Sequence, residues 1–164
     1  MNLLAQLFEA QLCRIYYAEK ETLKALPKLA RAAKCEGLKV AFIYHIGQTA
    51  DQIEKLEKVF DSIAKIPRAV VCEAIAGMLE EGNDIIKQFE NSPCIDAALI
   101  CVGRKVEHYE IATYGCLIAW AKILGYHSAA KFLVQILDQE EITDRELTEL
   151  AEYVCNGAIE TEAA

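Results

Sequence analysis

Residues 104–115 read RKVEHYEIATYG, and Glu107 and Glu110, three positions apart, share one face of any helix that carries them. The surrounding stretch 94–124 is apolar around most of its circumference. Asn91-Ser92-Pro93 ahead of it predicts an N-cap and a first-turn proline, and Gly125-Tyr126-His127-Ser128 behind it predicts the end of one helix and the start of the next. A helix this apolar must be covered on several sides, so its two carboxylates fall inside a core. Burying an unpaired carboxylate is expensive unless a cation or hydrogen bonds compensate it. The fold is therefore expected to be a helical bundle built around a polar layer.

The same patterning extends in both directions. A first helix over 2–34 carries Phe8, Leu12, Ile15, Tyr16, Leu23, Leu26 and Ala30 at helical spacing, with Pro27 expected to kink it. Gly37 marks the turn to a second helix over 38–64, with Phe42, Ile53, Leu56, Phe60 and Ile63 on its apolar face. A shorter amphipathic segment over 70–90 reads as a connector, and a last helix after Gly125 carries Phe132, Leu133, Ile136, Leu137, Leu147 and Val154. Two hairpins of long helices joined by a connector of about twenty residues predict an all-α four-helix bundle with ferritin-like connectivity, since an up-and-down bundle needs only a short link there. The expected domain spans 1–158, with 159–164 as a polar tail.

Composition excludes several classes of function. At 164 residues the chain has room for one domain, and its 54% hydrophobic content rules out intrinsic disorder. A net charge of −8 argues against nucleic acid and anionic membrane surfaces as partners. The longest apolar run, 95–102, is far short of the roughly 20 residues a membrane-spanning helix needs. The first twenty residues carry Glu9 inside an apolar pattern and show no basic segment or cleavage site, so a cytoplasmic location is expected. Seven cysteines, an odd number with no C-x-x-C pair, predict buried thiols, with neither a disulfide framework nor a zinc site.

Each long helix interrupts its apolar stripe with polar residues near its middle. Glu19 lies between Ile15 and Leu23; His45, Gln48 or Thr49, and Gln52 interrupt the second helix; Glu107 and Glu110 interrupt the fourth segment; Glu140 and Asp144 fall in line with Ile136 and Leu147. Antiparallel packing brings these positions to one level. Dinuclear carboxylate centres are assembled in this way, because each cation needs several hard donors and a shared carboxylate holds the two together. A boundary glutamate whose charge reaches solvent is the ordinary reading of any one of these positions. His45 is either a ligand or a core histidine donating to a carboxylate, while His108 and His127 read as solvent-side and turn residues.

Ala18-Glu19-Lys20, KALPKLARAA at 24–33, EAIAGMLEEG at 73–82, DAALI at 96–100 and KVEHYEIATYG at 105–115 resemble the YciE/YciF family of bacterial ferritin-like proteins, across 3–152. The resemblance implies a rubrerythrin-related bundle of long helices, cytoplasmic, homodimeric and linked to stress. Its carboxylate positions correspond to Glu19, Glu107, Glu110 and Glu140, and Asp144, His45 and Gln52 also match. Where the family usually reads Leu-x-Glu-Thr after the histidine, this chain has Ile46-Gly47-Gln48-Thr49, an amide for a carboxylate.

The expected function is a dinuclear iron or manganese centre handling O2 or peroxide, peroxidase-like or catalase-like, with no organic cofactor. Glu19, Glu107, Glu110 and Glu140 are its expected primary ligands, and Gln48, His45 and Asp144 its secondary ligands or supporting partners. Tyr16 and Tyr109 are candidates for radical or hydrogen-bonding roles. The rival is a metal-free homodimeric stress module that keeps the carboxylates as a hydrogen-bonded polar layer, a reading that Gln48 favours. A homodimer is expected in either case, because Ile100, Val102, Ile111, Leu117 and Ile118 put apolar residues on more faces of one helix than a bundle interior covers.

Overall fold

Asn2 starts the first helix: its side-chain oxygen accepts the backbone N–H groups of Leu4 at 3.0 Å and Ala5 at 3.3 Å, two donors that have no partner within the helix. From there the computed structural model, which describes the backbone of residues 2–162 and the side chains of 2–154 and 157, forms α1 (Leu3–Ala32), α2 (Glu36–Ser62), α3 (Glu73–Phe89), α4 (Ile95–Leu124) and α5 (His127–Glu162). No strand occurs among the described residues. α1 continues as helix through Pro27. Gly125, at φ 74°, ends α4 in the left-handed conformation that glycine adopts without strain, and the Tyr126 N–H then reaches back to the Ala121 carbonyl at 2.9 Å.

Pro93 does not take the first position of α4 as expected. Ser92 forms a turn ahead of the helix, its Oγ accepting the Cys94 N–H at 3.1 Å and its carbonyl the Ile95 N–H at 3.3 Å, so α4 begins at Ile95. α5 stays helical through Glu162, beyond the expected boundary at 158, and residues 163–164 of the expected tail lie outside the described residues.

α1 packs on α2 and α4 on α5, and the pairs close on each other through α1 against α4 and α2 against α5. α3 lies across α4 and α1. The polarity of the bundle is fixed at its ends. The buried carboxylate of Asp96, in the first turn of α4, accepts the N–H groups of Lys34 at 2.7 Å and Cys35 at 2.8 Å at the turn between α1 and α2. At the opposite end Phe8 meets Tyr126 edge-on with ring centroids 5.6 Å apart. α4 therefore sets out from the same end as α2, and the chain between them returns the length of the bundle, held by the Val70 N–H on the Cys13 carbonyl at 3.0 Å.

Two apolar clusters fill the interior. One includes Phe8, Leu12, Ile15, Leu56, Phe60, Leu117 and Leu133, and the other Leu26, Leu38, Phe42, Leu99, Ile100 and Leu147. The excess of apolar residues on α4 is satisfied within the chain: Ile100, Val102, Leu117 and Ile118 are buried and Ile111 half-buried. Contrary to expectation, those residues need no partner chain to cover them, since α3 lies against the part of α4 that a simple bundle would leave open. Among the described residues no helix is long and apolar enough to cross a membrane.

Asp96→Ala leaves the Lys34 and Cys35 N–H groups without their carboxylate acceptor and unties α4 from the first hairpin. Chemical denaturation is expected to show a loss of about 2 to 4 kcal/mol, with Asp96→Asn losing less because it keeps one acceptor oxygen.

Candidate metal centre

The polar residues meet between the two apolar clusters. α1 brings Glu19 and Thr22, α2 brings His45, Thr49 and Gln52, α4 brings Glu107 and Glu110, and α5 brings Glu140 and Thr143, all of them buried. Helical spacing explains the convergence: Glu107, Glu110 and Tyr114 lie at i, i+3 and i+7 on α4, and His45, Thr49 and Gln52 at i, i+4 and i+7 on α2. The side chains form two groups, His45 with Glu107 and Glu140, and Glu19 with Glu110 and Glu140, and the candidate donor atoms within each group lie within 4.8 Å of one another. Glu140 belongs to both.

Hydrogen bonds orient the edges of this layer. His45 Nδ1 lies 3.3 Å from Gln48 Oε1 and Nε2 lies 3.2 Å from Glu107 Oε1; in the tautomer that donates from Nδ1 to the amide oxygen, the Nε2 lone pair is free for a cation on the Glu107 side. Thr143 Oγ lies 3.1 Å from the Gln139 carbonyl oxygen and 3.4 Å from the same Gln48 oxygen, and Thr22 Oγ donates to Glu110 Oε1 at 3.5 Å. The hydroxyl of Tyr114, wholly buried, donates to Glu19 Oε1. The centre of the layer is short of donors. Both oxygens of Glu140, one each of Glu107 and Glu110, and both amide atoms of Gln52 are buried without a hydrogen-bond partner. Convergent carboxylate oxygens with one imidazole lone pair are a donor set that fits divalent cations of the iron and manganese type.

Electrostatics follow from the same crowding. Burial pushes the Glu19 carboxyl up to about 7, against the lowering effects of the Tyr114 hydrogen bond and of His45. Burial pushes Glu107 up to about 8; the adjacent Glu140 carboxyl opposes the rise, and repulsion from Glu19 and Asp144 adds to it. Glu110 and Glu140 rise well above the carboxylate range, first through burial and then through repulsion from their neighbours. Without cations these carboxyl groups are held toward their protonated forms.

Glu19, Glu107, Glu110, Glu140 and His45 stand together as candidate donors, whereas Asp144 stands outside the two groups. Asp144 faces Arg104 Nε at 2.9 Å and His108 Nε2 at 3.2 Å; burial raises its carboxyl, but these partners outweigh it and the net shift is downward. Gln48 is half-buried on the outer side of His45. Tyr16 donates to Glu57 Oε1 at 2.8 Å, and the Tyr109 hydroxyl lies 3.0 Å from Cys72 Sγ, so neither hydroxyl bonds to the carboxylate layer. The tyrosine that does is Tyr114, whose place four residues after Glu110 on one face was the signal in the sequence. Gln52, noted as a break in the stripe but left out of the expected ligands, is the α2 amide with both atoms unpaired in the interior.

Five helices, two apolar clusters and a carboxylate–histidine layer between them define an all-helical bundle with a buried acidic centre. The chain belongs to the family described as a domain of unknown function, DUF892, which matches residues 3–160. Protein YciF of Escherichia coli strain K12 is 42% identical over 164 residues, covering 99% of each chain. The crystal structure of the E. coli stress protein YciF matches 95% of this chain and 99% of that one with a TM-score of 0.90. YcfI of Rhodopseudomonas palustris matches 88% of this chain and 92% of that one at 36% identity and a TM-score of 0.86. A protein from Xanthomonas campestris, 21% identical with a TM-score of 0.77 over 99% of this chain, shares the fold.

A carboxyl whose value is raised by folding contributes stability below its ordinary value of 4.5 and loses it as pH climbs through the raised value, here about 7 for Glu19 and about 8 for Glu107. The melting temperature of the metal-free protein is expected to fall by roughly 5 °C or more between pH 5 and pH 8.5, as measured by calorimetry, and Glu107→Gln should flatten that slope.

Proposed function

We propose that this chain is a ferritin-like, stress-associated cytoplasmic protein whose polar layer binds two iron or manganese ions and handles O2 or peroxide with them. The observation that carries the reading is Glu140, shared by two donor groups and buried with both oxygens unpaired, which is what a bridging carboxylate between two cations requires. His45, Glu107 and Glu140 would hold one ion, and Glu19, Glu110 and Glu140 the other. Such ions supply redox chemistry that side chains lack. The chain's own part is to orient His45 through Gln48, to hold Glu19 through Tyr114, and to exclude water with the flanking apolar clusters. The stress association follows E. coli YciF, and the described cysteines, which form no disulfide with one another, suit a reducing compartment.

A second reading keeps the layer metal-free, with the carboxyl groups protonated and hydrogen-bonded. It is favoured by Gln48, a neutral amide beside His45, and by the burial that holds Glu107 and Glu140 toward their protonated forms.

Titration with Fe(II) without oxygen, or with Mn(II), separates the two. Binding of two ions per chain with a rise in melting temperature supports the metal reading, and Glu140→Gln should abolish both effects. Gln48→Glu places a carboxylate on His45 Nδ1, strengthening the imidazole as a ligand, and should tighten binding by roughly tenfold. Absence of metal by elemental analysis, with unchanged melting curves, selects the metal-free reading.

We also propose that the chain works as a homodimer, through the outer face of α2. Val40, Ile43 and Tyr44 are 56%, 55% and 62% exposed there, adjacent apolar residues that one protomer leaves in water. Sedimentation at micromolar concentration is expected to show a dimer that Ile43→Asp converts to a monomer.

A further inference from the structure

Gln52 on α2 is wholly buried, and neither atom of its amide has a hydrogen-bond partner among the described residues. A polar group shut away from water in this state is costly, and leucine would fill a similar volume without that cost. Contacts from the neighbouring helices fix its level in the bundle. On α5, Gln139 Nε2 donates to Asp51 Oδ2 at 3.3 Å, and the next residue on each of the two helices, Glu140 and Gln52, is buried. On α1, Tyr16 donates to Glu57 at 2.8 Å; because α1 and α2 run antiparallel at about 1.5 Å per residue, Gln52 comes level with the turn between Glu19 and Thr22. Thr22 in turn meets Glu110. α2 and α4 set out from the same end of the bundle, so the step from His45 to Gln52 runs the same way as the step from Glu107 to Glu110. Gln52 therefore stands at the level of the Glu19–Glu110–Glu140 group, as His45 stands at the Glu107–Glu140 group.

We propose that Gln52 is a metal ligand, its amide oxygen completing the donor set of the ion held by Glu19, Glu110 and Glu140. The assignment rests on the metal reading above and deepens it, because it makes the two positions chemically unequal. One has an imidazole nitrogen with two carboxylates. The other has three carboxylates and a neutral amide, an all-oxygen set of the kind that suits manganese. As a neutral donor Gln52 also adds no charge to a layer in which four carboxyl groups already repel, whereas a glutamate there would add one.

Mn(II) alone is the probe, titrated without oxygen into the full chain, with the free ion counted by its EPR signal. The parent is expected to bind two ions per chain. Gln52→Leu should melt no lower than the parent when metal-free and hold one ion as before, while its affinity for the other drops by about tenfold or more. A merely structural glutamine gives the reverse, a lower melting temperature with both ions retained, and that result overturns the assignment. Gln52→Glu reads the same position independently and decides the outcome should the leucine variant not fold. A carboxylate in place of the amide should tighten one of the two steps by roughly tenfold, and two steps unchanged from the parent overturn the assignment. The two readings fail differently. A parent that binds no ion removes the metal centre and Gln52 as its ligand together, whereas two ions bound alike by the parent and both variants overturn the role of Gln52 alone.

Discussion

Four carboxyl groups buried in one layer repel each other, and the architecture depends on how that repulsion is met. Two apolar clusters press against the layer from either end of the bundle, so water cannot dissipate the charge. Protons, cations or hydrogen-bond donors have to do it instead. Thr22 and Tyr114 supply donors at the Glu110 and Glu19 side, and His45 Nε2 lies 3.2 Å from Glu107 Oε1 at the other. Glu140, at the centre, receives no donor at all. An apolar side chain there would be the more stable solution for a chain that needed only to fold, which is why the layer reads as functional.

The remainder of the fold supports that layer. Asp96 ties α4 to the first hairpin and sets its starting point, and the turn at Gly125 sets the start of α5. Register at this level matters, because a displacement of one residue along a helix rotates its side chains by about 100° and takes a glutamate out of the interior. α3 covers the outer face of α4 and also contributes to the wall of a small cavity beside His45 and Glu107, so the element that completes the core also shapes access to the centre.

Much of this was legible in the sequence because helices write burial as periodicity. The long apolar run around Glu107 and Glu110 required burial, and Glu19, Glu140 and His45 interrupted the stripes of the other helices at matching depth; the structure gathers these five residues into two groups. The family resemblance rests on motifs that contain Glu19, Glu107 and Glu110, and it agrees with the 42% identity to E. coli YciF. Asp144 had the same periodicity as Glu140, one turn further on, yet it turns toward Arg104 and His108 at the edge of the bundle. Periodicity gives a direction around the helix axis and leaves the distance to solvent open.

The sequence by itself determined that the chain is helical, that its long helices carry polar residues into their apolar faces, and that those residues are carboxylates with one histidine, since spacing and side-chain chemistry are local properties. Only the tertiary structure decided which of them meet. It turned Tyr114 rather than Tyr16 or Tyr109 onto the carboxylates, left Gln52 rather than Gln48 unpaired, and covered the apolar faces of α4 within the chain. Those outcomes depend on crossing geometry and on the placement of α3, which arise from packing between segments far apart in the chain and leave no mark on the periodicity of any one helix.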